Sequence, residues 1–198
     1  MFQFVESLCC ENKQLRNLDY HQKRFDDTRE DNFSDFQPIS LKDKITINND
    51  LSNDKYKVRV VYDKDIQSIE FLPYTMKTIE TIKLFTIDDK VNYSYKYVER
   101  SFFDEYINET KTDDLVLVKS NYITDCIYSN IVFFDGEQWI TPKTFLLKGT
   151  MRESLLDNGK ILQKNIKVSD LNNFKSFKRI NAMMNLDESQ EIDISYLL

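Results

Sequence analysis

Lys96 sits in the stretch NYSYKYVERSFF, between Tyr93, Tyr95 and Tyr97, with Phe102 and Phe103 close behind. A lysine desolvated by such rings holds its proton less tightly, and its neutral amine can form a Schiff base with a carbonyl. The ordinary alternative is a lysine on the exposed face of a strand. Asp125 and Asn130, in ITDCIYSNIVFF, lie beside the start of a strand in apolar surroundings. A carboxylate there needs a partner; a turn carboxylate is the plainer reading. Gly149 is one of only three glycines in 198 residues, and it directly precedes TMRESLL. Thr150 is the expected N-cap, and Glu153 three residues on completes a capping box. The N–H groups and dipole at such a helix end favour a phosphate, although most capped surface helices bind nothing. An amine for an imine, an acid for a pyridinium nitrogen and a helix end for a phosphate are the protein groups that pyridoxal phosphate needs.

Other chemistries find less support. A Ser–His–Asp triad would have to use His21, the single histidine, and a lone histidine on a helix usually packs or hydrogen-bonds. No G-x-S-x-G or P-loop pattern is present. The three cysteines, Cys9, Cys10 and Cys126, are odd in number with an adjacent pair, a poor disulfide framework that suits the reducing cytoplasm. One histidine and no C-x-x-C spacing argue against zinc, so no metal is expected. A net charge of −6 with scattered lysines argues against nucleic acid as a partner. No apolar run reaches the length of a membrane span, and MFQFVESLCCENK lacks the basic start of a signal peptide. The composition, 41% hydrophobic and 30% charged, is that of a globular chain.

The elements that must position these residues alternate irregularly, which points to an α+β fold. MFQFVESLCC reads as a strand and 18–33 as a helix on which Tyr20, Arg24 and Phe25 share a face beside His21. ISLKDKI opens a short helix. YKVRVVYDKDIQSIEFLPYT reads as strand–turn–strand about Lys64–Asp65, TIKLFTI as a strand and FFDEYINET as a helix. DLVLVKSNYITDCIYSNIVFFDGEQWITP is a run of strands with a hairpin at Asp135–Gly136. RESLLDNGK is a helix stopped by a left-handed cap at Asn158–Gly159. A short helix and then a strand or turn around Asn181 follow. A soft boundary separates a subdomain over 1–78 from one over 79–198 that carries Lys96.

In this order the motifs resemble those of the class IV, fold-type IV pyridoxal-phosphate enzymes, a family of branched-chain and D-amino-acid aminotransferases and 4-amino-4-deoxychorismate lyases. The match runs from the first residues to about 186. FVES resembles the family's F-E-T tract. YHQKRF resembles its H-x-x-R-L helix, whose arginine holds the cofactor phosphate; this implies that role for Arg24. YKYVER resembles K-x-x-N-R and makes Lys96 the Schiff-base lysine. TDCIYSNIVFF resembles T-E-x-x-x-x-N-I-F, whose acid pairs with the pyridine nitrogen, here Asp125, with Asn130 downstream. TPKTFLLKGTMRESLL resembles T-P-x-x-x-x-L-x-G-I-T-R-x-x-L, in which the glycine lets the backbone after it approach the phosphate; this points to Gly149, Thr150 and Met151. INAM resembles an N-S-L run near the phosphate and points to Asn181 and Ala182. The chain departs from the pattern in four places. Asp125 replaces Glu, which implies a shifted cofactor or a bridging water; Glu99 replaces Asn; Asn181–Ala182 replaces residues that often offer a hydroxyl; and the family's D-R-G-x-x-Y-G-D-G segment has no counterpart, which implies an N-terminally reduced member.

The resemblance implies a D-amino-acid aminotransferase-like fold of two small α/β subdomains with the cofactor, pyridoxal 5′-phosphate, held between them. It also implies a cytoplasmic homodimer acting on a small-molecule amino substrate. The G-T-M-R and N-A-M variants, and Arg100 four residues after Lys96, are closer to a 4-amino-4-deoxychorismate lyase of folate biosynthesis. In such an enzyme Lys96 is the general base and Asp125 keeps the ring nitrogen protonated. The alternative is an aminotransferase for a branched-chain or D-amino acid, for which Arg59 is the candidate carboxylate clamp. A third reading is a degenerate, non-catalytic member that binds a metabolite or a partner.

Overall fold

The structure is a computed structural model that describes residues 2–198. It is mixed α and β, and its contacts divide it into two compact units. One comprises the residues up to Met76 together with Tyr95–Glu99; the other comprises Lys77–Ser94 and Arg100–Leu198.

The first unit is an antiparallel sheet with one long helix. Its elements are β1 (Phe4–Glu11), β2 (Gln14–Leu15), α1 (Leu18–Asn32), α2 (Leu41–Lys44), β3 (Tyr56–Tyr62) and β4 (Ile66–Pro73), with strand order β2-β1-β3-β4. β1 is interior and almost wholly buried. β4 is the edge and ends in Pro73, where a missing N–H is tolerated. Asn12 and Lys13 join β1 to β2 with φ of 51° and 58°, the left-handed pair of a tight two-residue turn. α1 buries His21, Phe25, Thr28 and Arg29, the spacing of one helical face, with Tyr20 and Arg24 half-buried at its margin. Phe4, Leu8, Phe25, Val58, Val60 and Tyr62 make the core.

Lys96, expected in the subdomain over 79–198, groups with this first unit. The cause is a strip of backbone pairing that β2 is too short to supply. Val5 N–H donates to Lys96 C=O at 2.9 Å, and Val98 N–H donates to Gln3 C=O at 2.9 Å. Tyr95 and Tyr97 then set their rings 5.9 and 5.3 Å from Phe4. Tyr93, Phe102 and Phe103, counted above among the rings around Lys96, form a cluster of their own in the second unit.

The second unit holds β5 (Ile82–Thr86), α3 (Phe102–Thr110), β6 (Asp114–Lys119), β7 (Tyr122–Cys126), β8 (Asn130–Phe134), β9 (Trp139–Pro142), α4 (Thr150–Asp157), β10 (Leu162–Lys164), β11 (Ser176–Ile180) and β12 (Glu191–Asp193). Short 3₁₀ helices cover Val168–Asn173 and Ile194–Leu197. Two sheets form, β5-β6-β7 and β10-β9-β8-β11-β12. Only β5–β6 and β9–β10 are parallel. Ile131, Phe133, Phe177, Val116 and Ile140 lie in the core shared by the two.

The β8–β9 hairpin forms at Asp135–Gly136: Asp135 Oδ1 accepts the Glu137 and Gln138 N–H groups at 2.9 Å, and Gly136 takes φ of 110°. α4 stops at Gly159, whose φ of 63° is left-handed; Lys160 N–H then reaches Leu155 C=O at 2.8 Å. A Cβ added at Gly159 meets nothing within 4 Å. Gly159→Ala should therefore cost only the backbone term, about 1 kcal/mol, read as a small drop in urea midpoint. A loss several times larger would mean that the site is packed.

Candidate active site

In the first unit a buried carboxylate organises the site. Glu6 lies on the interior strand β1 and is fully buried. Arg24, from α1, donates to it through Nε at 2.8 Å and Nη2 at 2.6 Å. His21, one turn earlier on the same helix, meets Glu6 Oε2 through Nδ1 at 2.5 Å. Burial alone would raise the Glu6 carboxyl, but Arg24 and His21 reverse that and hold it at about 2. His21 is pushed below the usual histidine range by burial and by the charges of Arg24 and Lys96, against the opposing pull of Glu6. Lys96, half-buried, thus belongs to the electrostatic environment of this cluster.

In the second unit the organising group is Asp125, at the end of β7 and fully buried. Its Oδ2 accepts the Leu146 and Leu147 N–H groups at 2.8 and 3.0 Å. Its Oδ1 accepts Asn130 Nδ2 at 2.7 Å. Asn130, the first residue of β8, also donates to Leu147 C=O at 3.0 Å. Burial raises the Asp125 carboxyl to about 6 despite these donors. They are neutral dipoles, which stabilise a carboxylate less than the full charge beside Glu6 does.

Gly149 has φ of −75° and ψ of 135°, a conformation open to any residue. What excludes a side chain is Asn130: a Cβ at Gly149 would lie 1.8 Å from Asn130 Oδ1. The glycine thus serves the close approach of a carboxamide. The capping box also forms differently from expectation. Gly149 is the N-cap, Thr150 is already helical, and no side-chain cap bond is made. Glu153 pairs instead with Arg152 and Lys148. Thr150 and Met151, both buried, occupy the first helical positions, where N–H groups point out of the helix end.

The structure therefore brings Asp125, Asn130, Gly149, Thr150 and Met151 together, and separately gathers Arg24 beside Glu6 and His21. Asn181 closes a small turn: its Oδ1 accepts Met183 N–H at 2.9 Å, and its Nδ2 donates to Tyr128 C=O at 3.2 Å. Ala182 follows it, half-buried. Arg59 stands apart on β3, directly opposite Glu70, to which its Nη1 donates at 2.9 Å. Two residues of the site lie within the sequence motifs but had no role assigned there. Glu6 is the acid of the F-E-T-like tract FVES. Arg152, 1% exposed, stacks on Phe145 and donates to Pro142 C=O at 3.1 Å, tying the loop before Gly149 to α4. Among the described residues no cluster of three or more His, Cys, Asp or Glu is placed to hold a metal ion, and no helix is long and apolar enough to cross a membrane.

The family model described as amino-transferase class IV matches residues 3–186. The solved structure of a "putative 4-amino-4-deoxychorismate lyase" from Haemophilus somnus is similar, with a TM-score of 0.83 and 28% identity over 94% of this chain and 98% of that one. A Haemophilus influenzae protein called "Uncharacterized protein" is 33% identical over 189 residues, which span 94% of this chain and 100% of that protein. A Schizosaccharomyces pombe protein named "Putative aminodeoxychorismate lyase" is 29% identical over 123 residues, 58% of this chain and 52% of that protein.

Two outcomes test the geometry around Asp125. Gly149→Ala must displace the Asn130 carboxamide and break its bond to Asp125, at a cost of about 1–3 kcal/mol in denaturant unfolding. A neutral Gly149→Ala would contradict the close approach. Second, folded Asp125 keeps its proton up to about 6, whereas its unfolded value is 3.8. Between those values the folded chain binds more protons, so stability falls as pH rises through the window and levels off above it. Asp125→Asn should abolish that fall; a persisting fall would assign it to another group.

Proposed function

Because this chain belongs to the class IV aminotransferase family, we propose that it is a 4-amino-4-deoxychorismate lyase, releasing 4-aminobenzoate and pyruvate. The enzyme depends on pyridoxal 5′-phosphate. The observation that carries the reading is the buried Asp125 carboxylate, tied through Asn130 to the glycine that opens α4. A lyase is favoured over an aminotransferase by the names borne by the H. somnus and S. pombe relatives. It is also favoured by Arg59, whose charge is already matched by Glu70 and so is a poor carboxylate clamp.

The residues present fit the cofactor. Thr150 and Met151 hold the first helical positions of α4, where N–H groups suit an anion, and two cations, Arg24 and Lys96, accompany the first unit's buried acid. Bound pyridoxal phosphate supplies an electron sink for charge developing beside the substrate's amino group. Arg24 and the N–H groups of Thr150 and Met151 are the phosphate ligands in this reading, with Asn181 and Ala182 beside them. Glu6 holds the guanidinium of Arg24 by two of its N–H groups, which fixes the orientation of the side chain. Asp125 Oδ1 accepts one hydrogen bond, from Asn130 Nδ2, and has acceptor capacity left for a protonated ring nitrogen. Leu146, Leu147 and Asn130 fix the plane of that carboxylate. Lys96 is fastened at its carbonyl to β1. Its Nζ takes the proton from the carbon bearing the substrate amine and returns one as the enolpyruvyl fragment leaves. The three buried, free thiols accord with a cytoplasmic enzyme; a homodimer is part of the same reading.

The test is the near-visible absorption of purified protein with added pyridoxal phosphate. Wild type should show a yellow band that borohydride fixes covalently, and Lys96→Ala should not. 4-Aminobenzoate should then form from 4-amino-4-deoxychorismate. No band in wild type overturns the reading. A band with release of a keto acid from an amino acid, and no 4-aminobenzoate, would reassign the enzyme as an aminotransferase.

A further inference from the structure

Five of the arginines face a carboxylate: Arg16 meets Glu11, Arg24 meets Glu6, Arg59 meets Glu70, Arg152 meets Glu153 and Arg179 meets Asp114. Arg29 is fully buried between Phe25 and Phe36 and donates to two backbone carbonyls. Arg100 differs from all of these. It is half-buried, and its guanidinium makes no hydrogen bond or ion pair among the described residues. Its Cζ lies 5.1 Å from the centre of the Tyr128 ring, a geometry that orients a guanidinium while leaving its N–H edge available.

The location adds weight. Tyr128 is 44% exposed, and it sits in the turn between Asp125 and Asn130. Its hydroxyl donates to Asp104 Oδ1 at 2.6 Å, and its carbonyl accepts from Asn181. The ring under Arg100 is therefore fixed at both ends. Arg100 also directly precedes Ser101, the N-cap of α3, where a cation opposes the helix dipole. The helix gains nothing from this charge. Asp104, the nearest acid along this chain of contacts, is already engaged by Tyr128.

We propose that Arg100, stacked on Tyr128, binds a carboxylate of the substrate and so sets specificity for anionic amino substrates. The proposal rests on the lyase reading above, in which substrate and product both carry carboxylates. Guanidinium and carboxylate are matched for a bidentate, charge-assisted pair.

The test compares wild type with Arg100→Met, which keeps an apolar stem on Tyr128, and with Arg100→Lys. Arg100→Met should keep the cofactor band and its borohydride labelling, and change kcat little. KM for 4-amino-4-deoxychorismate should rise at least about tenfold, with partial recovery in Arg100→Lys. Calorimetry supplies a readout independent of turnover. Arg100→Met should weaken binding of 4-aminobenzoate about tenfold or more, and leave its uncharged amide, 4-aminobenzamide, unaffected. Equal effects on acid and amide, or no effect on either, overturn the proposal. A wild type without the cofactor band overturns the lyase reading instead, and the comparison of acid with amide still decides Arg100.

Discussion

The second unit's site is arranged around a carboxylate removed from water. Asp125 is fully buried, and an unpaired charge there would cost several kcal/mol. Three donors offset that cost: the Leu146 and Leu147 N–H groups and Asn130 Nδ2. To reach Asp125, Asn130 must place its other amide atom where a Cβ of residue 149 would stand. The need to satisfy one buried charge thus fixes the loop at 146–147, the residue that opens α4 and the first residue of β8. Arg152 reinforces the same loop from the helix side.

Glu6 solves the same problem in the first unit by other means, and the contrast explains the two acidities. Its partners are a full cation, held by two hydrogen bonds, and an imidazole. A full charge at hydrogen-bond distance outweighs desolvation, so Glu6 ionises at about 2. Asp125 has dipoles only, desolvation prevails, and it ionises at about 6. One carboxylate is a permanent anion that holds an arginine still. The other sits within reach of neutral pH, where the charge of a neighbouring group can set its state.

Much of the fold was legible in the sequence because its signals are local. The hairpin at Asp135–Gly136, the left-handed cap at Gly159, the helix over Leu18–Asn32 and the strand pair about Lys64–Asp65 each rest on residues within a few positions of one another. β2 was missed because its turn uses Asn12–Lys13, and the second of these is not a residue that favours positive φ. β10 and β12 are three-residue strands that exist only by pairing with β9 and β11. Of the site, residue types and spacing marked Asp125, Asn130 and Gly149 but not why they belong together. The Asn130–Gly149 contact joins positions far apart in the chain, and the scarcity of glycine marks the position without showing which neighbour requires it. The FVES tract contained Glu6 but not its role, since its partners come from the next helix. The unit to which Lys96 belongs follows from backbone pairing along β1, which has no side-chain signature.

The excursion of Tyr95–Glu99 has a consequence for how the chain is made. The polypeptide leaves the first unit after Met76, returns for those five residues and leaves again. Until Val98 has emerged from the ribosome, the Val5 N–H and Gln3 C=O on β1 lack their partners, and an unfinished strand edge is a template for wrong pairing. The backbone pairing of the amino-terminal unit is therefore complete only once residue 98 is available. What completes that edge is the segment carrying Lys96, the residue to which the proposed function gives the reactive amine.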